Sequence, residues 1–399
     1  RESHGTAVSG VAAGASNTVF GAGVCPDCGI YPVRLIGDSG GVRSLSSAQT
    51  FSRLTQSGVS VVNNSWGPSI SQFFPLSQAE DETLTQLTTE GGNGLGAVVV
   101  FAAGNDYFQS ADYNPYTSHP GVITVAASTR RDDFACYSNL GQTISIAAPS
   151  QGCFENENGL ITADVRGSDG YSNEAVTRDF GGTSAASPVV AGVAGLILSA
   201  APQLSAEAVR LIIEDTADKI TTKTDWTPVV GRDLTEAMAY DKYGFSRFFG
   251  YGRINAGRAV TAAMALDGNP LFRSCDRDCA VCKNNVCLAS CEADTDCMSS
   301  QRCRTMENGQ KACERPRRYP GDIGSYCGPE CEVCATTYAL DIRQVSICTA
   351  QCADDDACPS GFDCRRIDDG SQICVPGSPS CGEAWSDACQ TRVQVGTGN

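Results

Sequence analysis

Only two histidines occur in the chain, at positions 4 and 119, so any imidazole chemistry rests on one of them. His4 opens the run His4-Gly-Thr-Ala-Val-Ser-Gly10, whose small residues predict the start of a tightly packed helix. His119 stands in Ser118-His119-Pro120-Gly121 and is expected to be a surface turn residue in front of a strand. A hydroxyl is delivered by Gly181-Gly-Thr-Ser184-Ala-Ala-Ser-Pro188, a glycine turn running into an apolar helix. Small neighbours let another backbone approach, and a helix N-terminus favours negative charge developing nearby, which makes Ser184 a candidate nucleophile. Taken alone, the same turn reads equally as a helix cap. The third group is Asn105, which follows Phe101-Ala-Ala-Gly104 and carries an amide able to donate a hydrogen bond to an oxyanion. An Asn after Gly at a strand end is also an ordinary turn residue.

Groups this far apart in sequence need a rigid frame to bring them together. Up to about residue 267 the chain alternates β-branched runs with Ala-rich helical stretches. The runs are Val59-Ser-Val-Val-Asn, Ala97-Val-Val-Val-Phe, Val122-Ile-Thr-Val-Ala and Ile144-Ser-Ile-Ala. That pattern predicts strands and crossover helices of a parallel α/β sheet. Ser187-Pro-Val-Val-Ala-Gly-Val-Ala-Gly-Leu-Ile-Leu predicts a helix too small-residued for the surface, threading the core. Ser205-Ala-Glu-Ala-Val-Arg-Leu-Ile-Ile-Glu predicts an outer helix with a Ser cap. The most apolar stretch, Ala185 to Pro202, is interrupted by Pro188 and by small polar residues, so a buried helix is expected there and no transmembrane segment in this chain. With 29 Lys plus Arg against 45 Asp plus Glu, the net charge of −16 argues against nucleic acid as a partner. The opening residues show no basic stretch followed by an apolar run, and the expectation is a chain processed upstream.

Four of the 22 cysteines (Cys25, Cys28, Cys136, Cys153) precede residue 275, and the rest fall in the last stretch. Cys275, 279, 282, 287, 291, 297, 303 and 313 are separated by 3, 2, 4, 3, 5, 5 and 9 residues, and Cys327, 331, 334, 348, 352, 358, 364 and 374 by 3, 2, 13, 3, 5, 5 and 9. Six of the seven gaps agree, which predicts two copies of one eight-cysteine module with an insertion between the third and fourth cysteines of the second. Too few apolar residues for a core, an even count and regular spacing favour disulfides formed in an oxidising compartment, hence a secreted or cell-surface protein. Cys279-x2-Cys282 also spells half of a zinc knuckle, a reading that the regular spacing disfavours. Eight cysteines allow about 105 pairings, and the sequence does not choose among them. In the first part of the chain, Cys25 with Cys28 and Cys136 with Cys153 are the expected structural bridges, and Cys381 with Cys389 is expected to staple the tail. The domain reading is 1–267 for the α/β body, 275–314 and 327–374 for the modules, and 375–399 for the tail.

His4-Gly-Thr, Ala103-Gly-Asn105 and Gly182-Thr-Ser184-Ala-Ala-Ser-Pro, in that order, resemble the motifs of the subtilisin-like serine proteases, over roughly residues 1 to 265. Asn63-Asn-Ser65-Trp66-Gly67-Pro68 and Tyr251-Gly-Arg-Ile-Asn-Ala look like the kexin-type branch, including its bacterial members. The resemblance implies a subtilisin-like parallel sheet flanked by helices, followed by small disulfide-rich modules with little regular structure. It implies peptide-bond hydrolysis on protein or peptide substrates, with Ser184 attacking the carbonyl, His4 taking its proton and Asn105 stabilising the oxyanion. Ser65, Trp66 and Gly67 on one side, and Ala102, Ala103 and Gly104 on the other, would flank an extended substrate as an added strand. Ala15-Ser-Asn17-Thr-Val19-Phe-Gly21 matches the loop that in many subtilisins wraps a calcium ion, implying structural calcium held by Asn17, Val19 and Gly21.

Two departures from that pattern carry expectations of their own. The family's acid, an Asp in a strand-end Asp-(Ser/Thr/Asp)-Gly motif, precedes the histidine by a few tens of residues, and three residues precede His4 in this sequence. The triad Asp is therefore expected upstream of this chain, the alternatives being an acid from a separate chain or an inactive relative. Loss of that Asp costs roughly 3 × 10⁴ in turnover in subtilisin, so the chain from Arg1 onward is expected to be nearly inert alone. Relatives that cut after basic pairs carry acidic residues after Ser-Trp-Gly-Pro, where this chain continues Ser69-Ile-Ser-Gln-Phe-Phe, and Asn114-Pro-Tyr-Thr117 replaces an Asp-Gly before Tyr-Thr. Dibasic preference is not expected from those positions, although Asp106 and Asp112 lie near enough in sequence to supply charge. Gly37-Asp-Ser39-Gly-Gly41 spells the chymotrypsin-type nucleophile motif but belongs to an all-β fold with another residue order, and is read as a loop. Arg315-Pro-Arg-Arg318 between the modules is a solubilising linker or a processing site. The alternative function is a catalytically inactive scaffold whose cysteine modules bind a surface or a protein partner.

Overall fold

The computed structural model describes the chain apart from residues 1–2, 20, 37–43, 69–75, 108–110, 155–157, 222–237, 241–243, 267–280, 284–285, 289, 294–295, 297–301, 307–308, 315–332, 340–342, 350–361, 367–371 and 377–399. Ser39, Ser69, Arg315–Arg318 and Cys381–Cys389 therefore lie outside the described residues.

The four apolar runs form one sheet of parallel strands, β1 (Val61–Asn64), β2 (Val98–Ala102), β3 (Val122–Ser128) and β4 (Ile144–Pro149), ordered β1-β2-β3-β4. All residues of β2 and β3 are buried, as expected of a parallel sheet covered on both faces. Successive side chains of β2 alternate between the two covers. Val99 and Phe101 pack with Phe51 and Leu54 of α2 (Ser44–Ser57) and Leu84 and Leu87 of α3 (Gln78–Gly94). Val98 and Val100 face the opposite cluster, which holds Val190, Val193 and Ile197 of α4 (Thr183–Ala200), Val209 and Ile213 of α5 (Ala206–Asp215) and Ala259 and Ala263 of α6 (Ala256–Leu266). Each buried Val, Leu, Ile or Phe among them contributes about 1.5–3 kcal/mol through burial, which is why the strands hold their register.

Among the described residues α4 is the one helix long and apolar enough to cross a membrane, and most of that window is buried inside the fold. The core-threading helix expected from residue 187 begins four residues earlier. α5 takes its Ser205 cap, the hydroxyl accepting the Ala208 N–H, but six of its ten residues are buried, deeper than an outer helix. α1 (Ser3–Ala13) packs against α4 and against the antiparallel pair β5 (Leu160–Ala163) and β6 (Val176–Phe180). The Cys25–Cys28 and Cys136–Cys153 bridges are both present.

His119 departs from the surface position expected of it. It is 6% exposed, with Nε2 beside the Thr85 hydroxyl at 3.1 Å and Nδ1 accepting the Gly121 N–H. The proline turn folds inward here because α3 supplies a polar partner that local sequence could not reveal.

Regular structure after residue 280 is confined, among the described residues, to four antiparallel hairpins. They are β7 (Val281–Lys283) with β8 (Val286–Leu288), β9 (Arg302–Thr305) with β10 (Lys311–Glu314), β11 (Val333–Ala339) with β12 (Arg343–Thr349), and β13 (Phe362–Arg366) with β14 (Gln372–Pro376). Each hairpin sets two cysteines opposite one another: Cys282 and Cys287, Cys303 and Cys313, Cys334 and Cys348, Cys364 and Cys374. Cys303 is bonded to Cys291 rather than to its cross-strand neighbour.

Candidate active site

Ser184 is the second residue of α4, and the turn before it depends on a glycine. Gly182 has φ +77°, a left-handed conformation that side-chain-bearing residues avoid, and a Cβ there would sit 3.0 Å from the Asn105 amide nitrogen. Gly104, at φ +104°, turns the chain out of β2 where a Cβ would collide with the Asn139 side chain at 2.3 Å.

Those two turns bring Asn105 to the base of α4. Its Oδ1 accepts the Thr183 backbone N–H at 2.8 Å and the Thr183 hydroxyl at 2.9 Å. Thr183 Oγ1 in turn accepts the Gly104 N–H at 3.1 Å. A backbone N–H can only donate, so the oxygen end of the amide is fixed and its NH₂ end is the one left to donate.

Pro188 explains how the next segment is held. It sits inside α4 and has no N–H to give the carbonyl four residues earlier, which is that of Ser184. The Ser65 hydroxyl takes this idle acceptor at 3.0 Å. Asn63 completes the link, its Nδ2 donating to Ser65 Oγ at 3.0 Å and its Oδ1 accepting the Ser187 hydroxyl at 2.6 Å. The Ser184 hydroxyl is 3.4 Å from the Ser65 carbonyl. The chain beyond Ser65 rests on an aromatic floor: Trp66 meets Phe101 and Tyr116 edge-on at centroid distances of 5.3 and 5.1 Å. Tyr116 donates to the buried carboxylate of Glu80 at 2.5 Å, and burial pushes its phenol pKa up. Among the described residues the main chain of Gly67 makes no hydrogen bond. Ala103 and Gly104 differ, because their carbonyls already accept the Asn139 side chain and N–H, each at 3.0 Å. Of the two segments expected to flank a substrate, the one ending in Gly67 thus offers free main-chain groups, those of Gly67.

His4 lies in the first turn of α1, half-buried, its ring edge-on to Phe180 at 5.7 Å. Ala7, one turn on, shares a buried cluster with Phe180 and with Ala185, the neighbour of Ser184. The Thr162 hydroxyl pins this helix by donating to the Ala7 carbonyl at 2.8 Å. Burial lowers the His4 pKa and favours the neutral imidazole, the form able to accept a proton. Asn17, Val19 and Gly21 lie apart from these groups, on an exposed turn after α1 where Asn17 Oδ1 accepts the Val19 N–H at 2.8 Å. Asp106 and Asp112 are engaged within the body, Asp106 by Asn139 and Asp112 by the N–H groups of Gln142 and Thr143.

Several residues that build the site carry no role in the sequence reading. Thr183 and Asn63 stand inside recognisable motifs, but Asn139 and Phe180 have no local signal, since their partners lie tens of residues away or more.

Comparison with known proteins places this geometry in context. The model of the subtilase family, Peptidase_S8, matches residues 1–252. A calcium-dependent protease of Nostoc sp. is 36% identical over 293 residues, covering 68% of this chain and 41% of the relative. An extracellular protease of Xanthomonas campestris is 33% identical over 272 residues, covering 65% of this chain and 40% of the relative. The serine protease of Aeromonas sobria, solved in complex with the chaperone ORF2, superposes with a TM-score of 0.58 at 22% identity over 66% of this chain and 53% of that one, a likeness of fold. The chain spans about two fifths of the length of these two curated relatives.

Proposed function

The chain belongs to the subtilase family of serine proteases, and from that premise we propose that it is a secreted endopeptidase of the kexin-like branch using Ser184, His4 and Asn105. The Ser184 hydroxyl adds to the substrate carbonyl while His4 accepts its proton. The resulting oxyanion receives the Asn105 NH₂, and the imidazolium returns the proton to the leaving amine as the C–N bond breaks. Water then repeats the sequence on the acyl-enzyme to release the acid. The carboxylate that orients His4 belongs, in this reading, to the segment that the family places before the histidine. The observation that carries the proposal is the amide of Asn105, pinned by the N–H of Thr183 so that its donor end is free beside the nucleophile turn. Gly67, with its main chain unpaired, supports a substrate laid as a strand along Ser65–Gly67. Specificity for basic pairs has no support from Asp112, whose carboxylate is taken up by Gln142 and Thr143.

Calcium at the turn after α1 is supported by the calcium-dependent protease among the relatives and by donor chemistry, since an amide oxygen and main-chain carbonyls are hard neutral ligands suited to that ion. Asn17, with the carbonyls of Val19 and Gly21, would hold it, and its contribution would be to stiffen the loop that ends the helix bearing His4. The two hairpins in each half of the C-terminal region fall at matching cysteines, the third with the fourth and the seventh with the eighth, which supports two copies of one module. Such modules suit attachment to a surface or protein partner, and that role is compatible with an active or a silent protease body.

Fluorophosphonate labelling tests the catalytic reading. The full-length protein is expected to label at Ser184 and the Ser184→Ala variant not at all. A correctly folded protein that never labels favours the scaffold.

A further inference from the structure

A row of three aromatic rings leads from the site to solvent, and the catalytic scheme above uses only the first. His4 meets Phe180 at 5.7 Å, and Phe180 meets Tyr171 at 5.6 Å with planes 57° apart. Phe180 is 3% exposed, whereas Tyr171 is 51% exposed and forms the outer end of the row. Tyr171 stands on the loop between β5 and β6, which is built around one carboxylate. Asp164, 7% exposed, accepts the N–H groups of Val165 at 2.8 Å, Tyr171 at 3.0 Å and Ser172 at 2.7 Å. Burial pushes the Asp164 pKa up, but these donors together with the Ser172 hydroxyl outweigh it and hold the carboxyl below its usual range. The backbone of Tyr171 is thus fixed by its own N–H, and an aromatic ring carried on a fixed backbone loses little freedom when something packs on it.

The chemistry gives this row a direction. The imidazole must hand its proton to the departing amine, so the half of the substrate after the scissile bond leaves past His4. The acyl half is the part assigned above to Ser65–Gly67, with its oxyanion on Asn105. We propose that Tyr171 is a specificity-determining residue whose ring packs on an apolar side chain just after the scissile bond. The inference rests on the catalytic reading of Ser184 and His4 and extends it to the leaving side.

The test uses the full-length protein, two internally quenched peptides with Leu or Asp directly after the scissile bond, and a methyl ester with the same acyl half, whose leaving group is methanol and offers nothing for a ring to pack on. Tyr171→Ala is expected to lower kcat/KM for the Leu peptide about three- to tenfold, the range of one aromatic contact, and to erase the preference for Leu over Asp. Tyr171→Phe should keep that preference, and neither variant should change kcat/KM for the ester. Equal losses on peptide and ester would mean that Tyr171 only props the loop, and an unchanged Leu preference in Tyr171→Ala would mean that it does not touch substrate; either overturns the proposal. A wild type that neither labels with fluorophosphonate nor cleaves any of the three sinks the catalytic reading, and this inference with it. Should Tyr171→Ala fail to fold, Tyr171→Leu carries the same comparison, with the preference expected to weaken rather than vanish.

Discussion

In β2 and β3 every residue is buried between helices, while around the Cys291–Cys303 bridge Ser290, Glu292, Ala293 and Asp296 all face solvent. The body keeps its shape because its side chains have left water. The hairpins beyond residue 280 have three- to seven-residue strands, and two-stranded ribbons of that size are marginal without crosslinks. Catalytic groups need fixed positions, and every group with a proposed role in the reaction is carried by the body with this buried core. The crosslinked part can vary in loop length without disturbing them. The longest hairpin, β11 with β12, illustrates this: it falls at the wide gap between Cys334 and Cys348, where the first run leaves four residues between Cys282 and Cys287.

The contrast can be broken by mutation. Phe101→Ala removes a fully buried ring that supports both Trp66 and Tyr116, and is expected to cost about 3–5 kcal/mol of stability in chemical denaturation of the body. Asn105→Asp keeps an oxygen to accept the Thr183 N–H and hydroxyl and removes only the donor, so it should cost less stability than Phe101→Ala and lower kcat about 10²–10³-fold with little change in KM, the size seen for one such donor in subtilisin. A loss confined to KM would remove Asn105 from the chemistry. Replacing Cys291 and Cys303 by Ser opens a bridge of sequence separation 12, a loop that costs about 3 kcal/mol. Hydrogen exchange should rise around Ser290 and in β9 and β10 alone, with labelling of Ser184 unaffected; a drop in labelling would show that the two parts are coupled. The smallest effect is on pH. His4 must be neutral to accept a proton, and burial lowers its pKa, so labelling should persist on acidification and fall only below the ordinary value of about 6.5. A limb above that value would mean that a carboxylate beside the ring outweighs burial.

Much of the frame was legible because its signals are local. The four β-branched runs became the four strands, Ser205 caps α5, and the Gly182-Thr-Ser184 turn opens α4. Cys25–Cys28 and Cys136–Cys153 formed the bridges that their isolation from the other cysteines suggested. What escaped were contacts between distant residues. His119 reads as a turn residue until α3 is folded over it, and Asn139 gives no hint that its amide fastens Ala103. The sequence marks Ser65 and Ser184 as motif members, but not that a hydrogen bond joins them across 119 positions.

That bond gives Pro188 a mechanical meaning. A ring that cannot donate leaves one acceptor vacant in the first turns of α4, and the hydroxyl of Ser65 occupies it as a latch. The shelf on which a peptide would lie in the proposed reaction is thereby bolted to the main chain of Ser184 itself, so a displacement of one is carried to the other.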